Sequence, residues 1–454
     1  VSSVSSLIRK IPPLFDDQKK SIAAELEKER QLDFSEPGTG KTRVRIEVHA
    51  KRRVKGSGCA LVFAPKSLLR AAWEADAKKY AAWMKVSCAF ATNRQDAFDV
   101  NADMYVTNHD AVKWVAKQPP AFFKKFDYLV IDESGAFKHH TSQRSKAMAK
   151  IKRYFKYRCI MNGVPTPNGV LDIWHQVALV DDGKRLGPSF FAFRSAVCIP
   201  EQVGPQPNMV KWKDRPGAED SVGALLRDIT VRNTLKGVPT NHNYSMPFYL
   251  SDAHMRAYKK MEDDAILQLK TGEVTAVNAA ALSTKLLQIA SGAVYDQNGD
   301  YHVISKDRYE LVGDLIEARK HTVVFFLWTH QRDLLIEEMG KRGITYMVID
   351  GSVSDKKRLE SVQMYEAGMY RTCFLHPKSA AHGLTLVRGK ATIWPSPTHD
   401  LEWWLQGNKR IDRTGQTEET ETINVVAEDS YEHKVFARMG EKNVKLIDLL
   451  RSIE

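Results

Sequence analysis

Cysteine is scarce and scattered: Cys59, Cys88, Cys159, Cys198 and Cys373 are the five in the chain, and no two form a C-x-x-C pair. That spacing argues against a disulfide framework or a cysteine-rich zinc site and leads us to expect a reducing, cytosolic compartment. Long hydrophobic runs are also missing. The longest, Val323-Val324-Phe325-Phe326-Leu327-Trp328, is far shorter than the roughly 20 residues of a membrane-spanning helix, so no membrane partner is expected. The chain holds no internal repeat and no low-complexity tract. At the amino end the charges of Arg9 and Lys10 follow a brief apolar stretch, an order not expected of a secretory signal, and a start at Val1 is expected of a trimmed chain.

What is present is an ordinary globular composition, 43% hydrophobic and 27% charged over 454 residues. A length of this size predicts two domains of about 200 residues each. The net charge is +12, from 67 basic and 55 acidic residues. Such an excess suits a polyanionic partner, though a merely basic soluble protein would look the same.

Apolar runs alternate with mixed stretches: Ala60–Ala64, Met104–Thr107 and Tyr128–Ile131 in the first half, Val323–Trp328, Tyr346–Ile349, Thr372–Leu375 and Thr392–Trp394 in the second. Continuous hydrophobic strands separated by helical segments predict parallel sheets covered on both faces. Pro and Gly crowd residues 183–217, which predicts a loop-rich insertion, and residues 245–290 read as helical. The chain is therefore expected to be α/β, with a first lobe over 1–240 and, over 241–454, a helical connector followed by a second lobe.

The strongest local signal is Ser35-Glu36-Pro37-Gly38-Thr39-Gly40-Lys41-Thr42. A glycine-rich turn opening a helix surrounds phosphate oxygens with backbone N–H groups. Lys41 would reach the β/γ phosphates, and the Thr42 hydroxyl would hold Mg²⁺. Only Ser35 departs from the G-x-x-x-x-G-K-S/T pattern. Asp132 and Glu133 end the strand Tyr128–Ile131. In the same lobe as a phosphate loop they predict one carboxylate for Mg²⁺ and one for the attacking water. ATP and Mg²⁺ are the expected cofactors.

Asp132-Glu133-Ser134-Gly135-Ala136-Phe137-Lys138 resembles the extended Asp-Glu motif of Swi/Snf-type ATPases in helicase superfamily two. Leu14-Phe15 with Gln18 is similar to that family's adenine-reading segment, and Asn162-Gly163-Val164-Pro165-Thr166-Pro167-Asn168 to its coupling motif. Gly135 stands where a histidine is frequent, one that links the ATP site to the coupling segment. Gln406 to Gln416 resembles the Gln-x-x-x-Arg-x-x-Arg-x-Gly-Gln motif, and His376 to Leu386 a preceding motif in the form of compact phage or bacterial members. The resemblance runs from about Leu14 to Val435. It implies two tandem RecA-like lobes with a nucleotide cleft between them. Gln18, Pro37, Gly38, Thr39, Gly40, Lys41, Thr42, Gly383 and Gln406 would bind the nucleotide, and Arg410 and Arg413 would act as arginine fingers. The three-residue spacing of the two arginines places them on one helix face; a solvated basic helix end is the plainer reading of that segment alone.

The same resemblance implies a grip on duplex DNA. Lys66, Ser67, Thr107 and Asn108 in the first lobe, and Trp328, Thr329, His330 and Lys378 in the second, stand at strand ends where they would contact phosphates, with a structural role as the alternative for each. The expected activity is translocation along double-stranded DNA by a monomer in the cytosol of a bacterial or phage-infected cell. Two alternatives stand beside it: a strand-separating helicase, and a nucleotide-dependent binding module with vestigial hydrolysis.

Overall fold

Runs of apolar residues become strands shielded on both faces, and in the first half of the chain they define a single sheet. Its members are β1 (Arg30–Asp33), β2 (Cys59–Ala64), β3 (Val86–Ala89), β4 (Met104–Asn108), β5 (Phe126–Asp132) and β6 (Tyr157–Met161). A hairpin, β7 (Cys198–Gln202) with β8 (Val210–Asp214), intervenes before the short β9 (Thr230–Val231). The sheet order is β3-β4-β2-β5-β6-β1-β9, with every neighbouring pair parallel. All of β2 is buried, and Val62, Val106, Val130 and Trp73 share one core cluster. The protein, a computed structural model, is described at residues 11–203, 209–270, 276–380 and 384–454.

This order matters for function because β6 lies between β5 and β1. The loops after those three strands are the Asp132-Glu133 turn, the Asn162–Asn168 segment and the phosphate-loop sequence, all at the carboxyl edge of one parallel sheet, where such folds bind ligands. Beneath the phosphate loop, helix Lys41–Val54 carries Arg45, wholly buried, which ion-pairs with Glu25 at 3.0 Å and Asp33 at 3.4 Å.

The second half forms a separate unit. Its strands are β10 (Asn241–Phe248), the hairpin β11 (Ala293–Tyr295) and β12 (Tyr301–Val303), β13 (Thr322–Phe325), β14 (Tyr346–Ile349), β15 (Thr372–Leu375), β16 (Ala391–Trp394) and β17 (Thr420–Ala427). Six of them make a parallel sheet in the order β10-β17-β16-β13-β15-β14. Helices Asp252–Lys270 and Ala276–Ala290 precede β11. Val324, Phe326, Leu335, Phe374 and Ile423 belong to its core. Arg308 and Glu432, both fully buried, pair at 3.1 Å inside it.

Several expectations are corrected. Residues 183–217 are not simply loop, since helix Phe190–Val197 and the β7–β8 hairpin occupy much of the segment. Pro200 is accommodated because it lies in a two-stranded ribbon, where each strand has a free edge. The segment read as helical from 245 begins instead with the end of β10, and β13 stops at Phe325 rather than running to Trp328. The chain divides into Val1–Leu235 with Val444–Glu454, and Lys236–Asn443. The last residues thus return to the first unit, whereas the sequence reading kept 241–454 together. The contacts explain the return: Lys445 pairs with Asp214 at 2.6 Å, Arg227 donates to the Ser452 carbonyl at 2.7 Å, and Glu454 pairs with Arg232.

Candidate nucleotide site

The phosphate loop is built by two glycines in the left-handed region, Gly38 at φ 91° and Gly40 at φ 82°, where L side chains are strained. Gly40 caps helix Lys41–Val54. It is also spatially constrained: a Cβ there would stand 2.3 Å from the Gln18 amide nitrogen. Gln18 is buried, donates to the Thr39 carbonyl at 3.0 Å and accepts from the Phe15 backbone N–H at 3.1 Å. Its order before the phosphate loop in the sequence is thereby matched by contact, and Phe15 beside it is 63% exposed, free to meet a flat ligand.

Ser35, the departure from the glycine pattern, has a structural cause. It is fully buried, and its hydroxyl accepts from the Asn233 backbone N–H at 3.0 Å just after β9. Glu36 continues the tie, its N–H donating to the Asn233 carbonyl at 2.9 Å. A glycine would supply no such acceptor. Pro37 faces Gly163, where a Cβ would lie 3.1 Å from the proline Cδ and 3.8 Å from Lys41 Nζ. Lys41 lies across its own loop, donating to the carbonyls of Ser35 at 2.5 Å and Glu36 at 3.3 Å.

Asp132 ends β5 and is buried. Burial first, and the adjacent Glu133 carboxylate second, push its pKa up to about 7. Trp73 opposes that shift by donating its ring N–H to Asp132 Oδ2 at 3.0 Å. His109 is directed at the Asp132 carbonyl, at 2.7 Å. Glu133 follows at φ 50°, an unusual conformation for a residue with a side chain, which turns the chain sharply out of the strand. Strain of this kind clusters at functional sites. Trp73, His109 and Asn233 escaped the sequence reading, because a tryptophan, a histidine and an asparagine of these surroundings look like ordinary core or turn residues.

The donor set fits Mg²⁺. Asp132 supplies carboxylate oxygens and the half-buried Thr42 a hydroxyl, hard oxygen ligands of the kind the ion takes together with phosphate oxygens.

In the second unit Arg410 and Arg413 do not share a helix face. The helix Leu401–Asn408 ends before them, capped at Lys409, and both arginines lie in the following turns. The chain turns there because Arg410 Nε bonds back to the Gln406 carbonyl at 2.7 Å. Gln406 is itself buried, with its amide nitrogen 3.3 Å from Glu402, so it braces Arg410 through its backbone rather than presenting its side chain outward. Gly383 lies outside the described residues.

Among the residues expected at DNA, Lys66, Thr329 and Lys378 are exposed, and Ser67, Asn108 and Trp328 are half-buried. Trp328 stacks on His330, their rings 5.8 Å apart. Asn108 accepts from Arg94 at 3.5 Å. Thr107 is a correction: it is wholly buried, and its hydroxyl donates to the Ala89 carbonyl at 2.8 Å, tying β4 to β3 instead of facing a phosphate.

Residues 25–292 match the model of the SNF2-related domain. The chain belongs to that family. This SNF2-related ATPase is 26% identical over 442 residues to a putative protein of Acyrthosiphon pisum secondary endosymbiont phage 1, an alignment covering 91% of this chain and 92% of that one. It is 23% identical to an uncharacterized ATP-dependent helicase of Mycoplasma genitalium, over 84% of this chain and 36% of the relative. It is likewise 23% identical to an ISWI chromatin-remodeling complex ATPase of Arabidopsis thaliana, over 90% and 40%. The chain therefore spans well under half of these two longer relatives. The solved Sulfolobus solfataricus SWI2/SNF2 ATPase core in complex with dsDNA aligns at a TM-score of 0.45 and 18% identity, covering 97% of this chain and 95% of that one.

Proposed function

We propose that this SNF2-related ATPase is a motor that moves along double-stranded DNA without separating its strands, acting as a monomer. One observation carries the reading: Lys41, Thr42, Asp132 and Glu133, with the segment 162–168 between their loops, converge at the carboxyl edge of one parallel sheet in a chain of this family. The names of the helicase and remodelling relatives, the exposed Lys66 and Lys378 and the net charge of +12 support a DNA partner.

The chemistry assigned to each residue follows from charge and position. The Lys41 ammonium binds the β/γ phosphates, and backbone N–H groups of residues 38–42 surround their oxygens. Thr42 and Asp132 would hold Mg²⁺, which supplies charge neutralisation at the phosphates. Glu133 accepts a proton from the attacking water. Arg410 and Arg413 add guanidinium charge to the phosphoryl group during transfer, a contribution that elsewhere reaches about 10³–10⁵ in rate.

The test is ATP turnover measured side by side with duplex DNA, single-stranded DNA, RNA and no nucleic acid. A parallel assay follows displacement of a third strand from a triplex. Duplex should be the best activator, and ATP should drive triplex release while a forked duplex stays paired. Stronger activation by single strands together with fork opening would replace this reading with that of a helicase.

A further inference from the structure

Gln176 sits in helix Ile173–Asp181 and is wholly buried. Its carboxamide uses every hydrogen-bonding position it has. The oxygen accepts from Ser134 Oγ at 2.6 Å and Asn162 Nδ2 at 3.0 Å, and the nitrogen donates to the carbonyls of Pro165 and Asp172, both at 2.8 Å. The amide cannot be turned over. Its oxygen would then face two carbonyls, and its NH₂ would face the NH₂ of Asn162.

The four partners are not a random set. Ser134 directly follows Glu133, whereas Asn162 and Pro165 belong to the segment after β6, whose Gly163 touches Pro37 of the phosphate loop. Asn162 passes the constraint on, since its Oδ1 accepts from the Val164 N–H at 2.9 Å. Two nearby residues repeat the pattern: Asp172, one turn before Gln176 on the same face, and His175, adjacent to it in the chain. Asp172 accepts from the Asn168 backbone N–H at 3.0 Å and from its side-chain amide at 3.1 Å, and lies 3.7 Å from Lys138. His175 Nδ1 donates to the Phe137 carbonyl at 2.6 Å. One helix thus holds residues 134–138 and residues 162–168 together. Gly135 has no side chain with which to make that connection.

We propose that Gln176 is a positioning residue that couples the Glu133 turn to the 162–168 segment, so that DNA binding and ATP turnover are communicated through its amide. The inference rests on the DNA-stimulated ATPase reading above. A buried, fully satisfied amide has one geometry. A shift in the Glu133 turn must therefore move the 162–168 segment with it or break bonds inside the protein, where unpaired polar groups are costly.

The experiment uses the full chain carrying Gln176→Met, which keeps the length of the side chain but removes its hydrogen bonds, alongside Ser134→Ala and the double variant. Basal turnover, the KM for ATP, duplex-stimulated kcat and the melting temperature are measured for each. Stimulation should drop by about 2- to 30-fold, the range of such coupling effects, while basal turnover and KM stay within about twofold. The double variant should be no worse than the more severe single one, because both remove the same connection. Ser134→Ala, a small change, keeps the test open if Gln176→Met does not fold. Stimulation retained in both single variants overturns the proposal. A proportionate fall of basal rate, KM and stimulation also overturns it, since that is the mark of a merely structural residue. Wild-type protein indifferent to duplex would instead sink the functional reading itself, and this inference with it.

Discussion

Arg410 and Arg413 donate to the same acceptor, the carbonyl oxygen of Leu384, at 3.2 and 2.7 Å. Arg413 adds a bond to Thr385 Oγ1 at 3.0 Å, and burial pulls its pKa below the ordinary guanidinium value. Arg413, half-buried and bonded to the oxygens of Leu384 and Thr385, is suited to receive an anion. Arg413→Ala should therefore abolish duplex-stimulated ATP turnover, by about 10³-fold or more, while leaving the melting temperature close to wild type. Arg413→Lys should restore only a small part of the rate, because an ammonium lacks the planar fork of donors. Wild-type turnover in Arg413→Ala would leave this arginine only a structural part, its bonds to Leu384 and Thr385.

Lys41 and Glu133 should separate binding from hydrolysis. Removing the Lys41 ammonium by Lys41→Ala should weaken nucleotide binding, read with a fluorescent ATP analogue. Glu133→Gln should bind ATP about as wild type does and yet fail to turn it over, since the phosphate contacts remain and only proton acceptance is lost. Measurable turnover by Glu133→Gln near the wild-type rate would move the general-base role elsewhere.

The phosphate-loop sequence and the Asp132-Glu133 turn are legible in the sequence because their constraints are local. Gly38 and Gly40 are needed at positive φ, and the acid pair terminates an unbroken apolar run, Tyr128–Ile131, that can only be a buried strand. Gln176 was not legible: its partner Ser134 lies 42 residues away, and a glutamine in a helix looks the same whether it is solvated or satisfied inside. Strand β10 was missed because Asn241-His242-Asn243-Tyr244-Ser245-Met246-Pro247-Phe248 is an exposed edge with little apolar content, held by its pairing with β17 rather than by its own pattern. The arginines were assigned to a helix by spacing alone, and the turn that ends it after Asn408 depends on a bond from Arg410 to Gln406 that no periodicity reveals. Thr107 failed for a related reason, since a strand-end position does not say that the hydroxyl is already committed to Ala89.

Below the phosphate loop, Arg45 should matter for stability rather than chemistry. It pairs with Glu25 and Asp33, all three deeply buried, and Glu25 also accepts a hydrogen bond from the Tyr128 hydroxyl. Removing one partner leaves uncompensated charge in the interior, so Arg45→Ala should cost about 3–5 kcal/mol of unfolding free energy. The check is a urea or thermal denaturation series on the full chain. A loss below about 1 kcal/mol would mean that water reaches the cluster and that the pairing contributes little.

Acid sensitivity should be traceable to His49 on the same helix. Its ring is buried, Nε2 donates to the Asp103 carbonyl at 2.9 Å, and burial, with Arg53 and Arg52 adding repulsion, lowers its pKa to about 4. The unfolded chain takes up a proton near the ordinary value of about 6.5, so between the two values the unfolded state binds more protons. Stability from this group is therefore complete above about pH 6.5 and is lost as the pH falls through 4, to a total of about 3 kcal/mol. His49→Gln, which keeps a donor for Asp103 but cannot titrate, should flatten the stability profile between pH 4 and 6.5 even if it lowers stability at pH 7. An unchanged slope would assign the acid transition to other buried histidines, of which His330 and His175 are also held near 4.

The placement of Lys66 and Thr107 yields a paired test of the DNA face. Lys66 is exposed directly after β2, whereas Thr107, at the end of the neighbouring β4, is enclosed and bonded to Ala89. A lysine that neutralises a phosphate releases condensed counterions, so Lys66→Ala should weaken duplex binding equally for unrelated sequences and reduce the slope of log affinity against log salt by about 1. Thr107→Val keeps the shape of the side chain and removes only the bond to Ala89. It should leave the salt slope unchanged and lower the melting temperature by the few degrees expected for one buried hydrogen bond, at about 1 kcal/mol. Duplex titrations from 50 to about 200 mM salt separate the two outcomes. A reduced slope in Thr107→Val would show that the hydroxyl does reach the backbone of the DNA when it binds, and an unaltered slope in Lys66→Ala would remove that lysine from the contact surface.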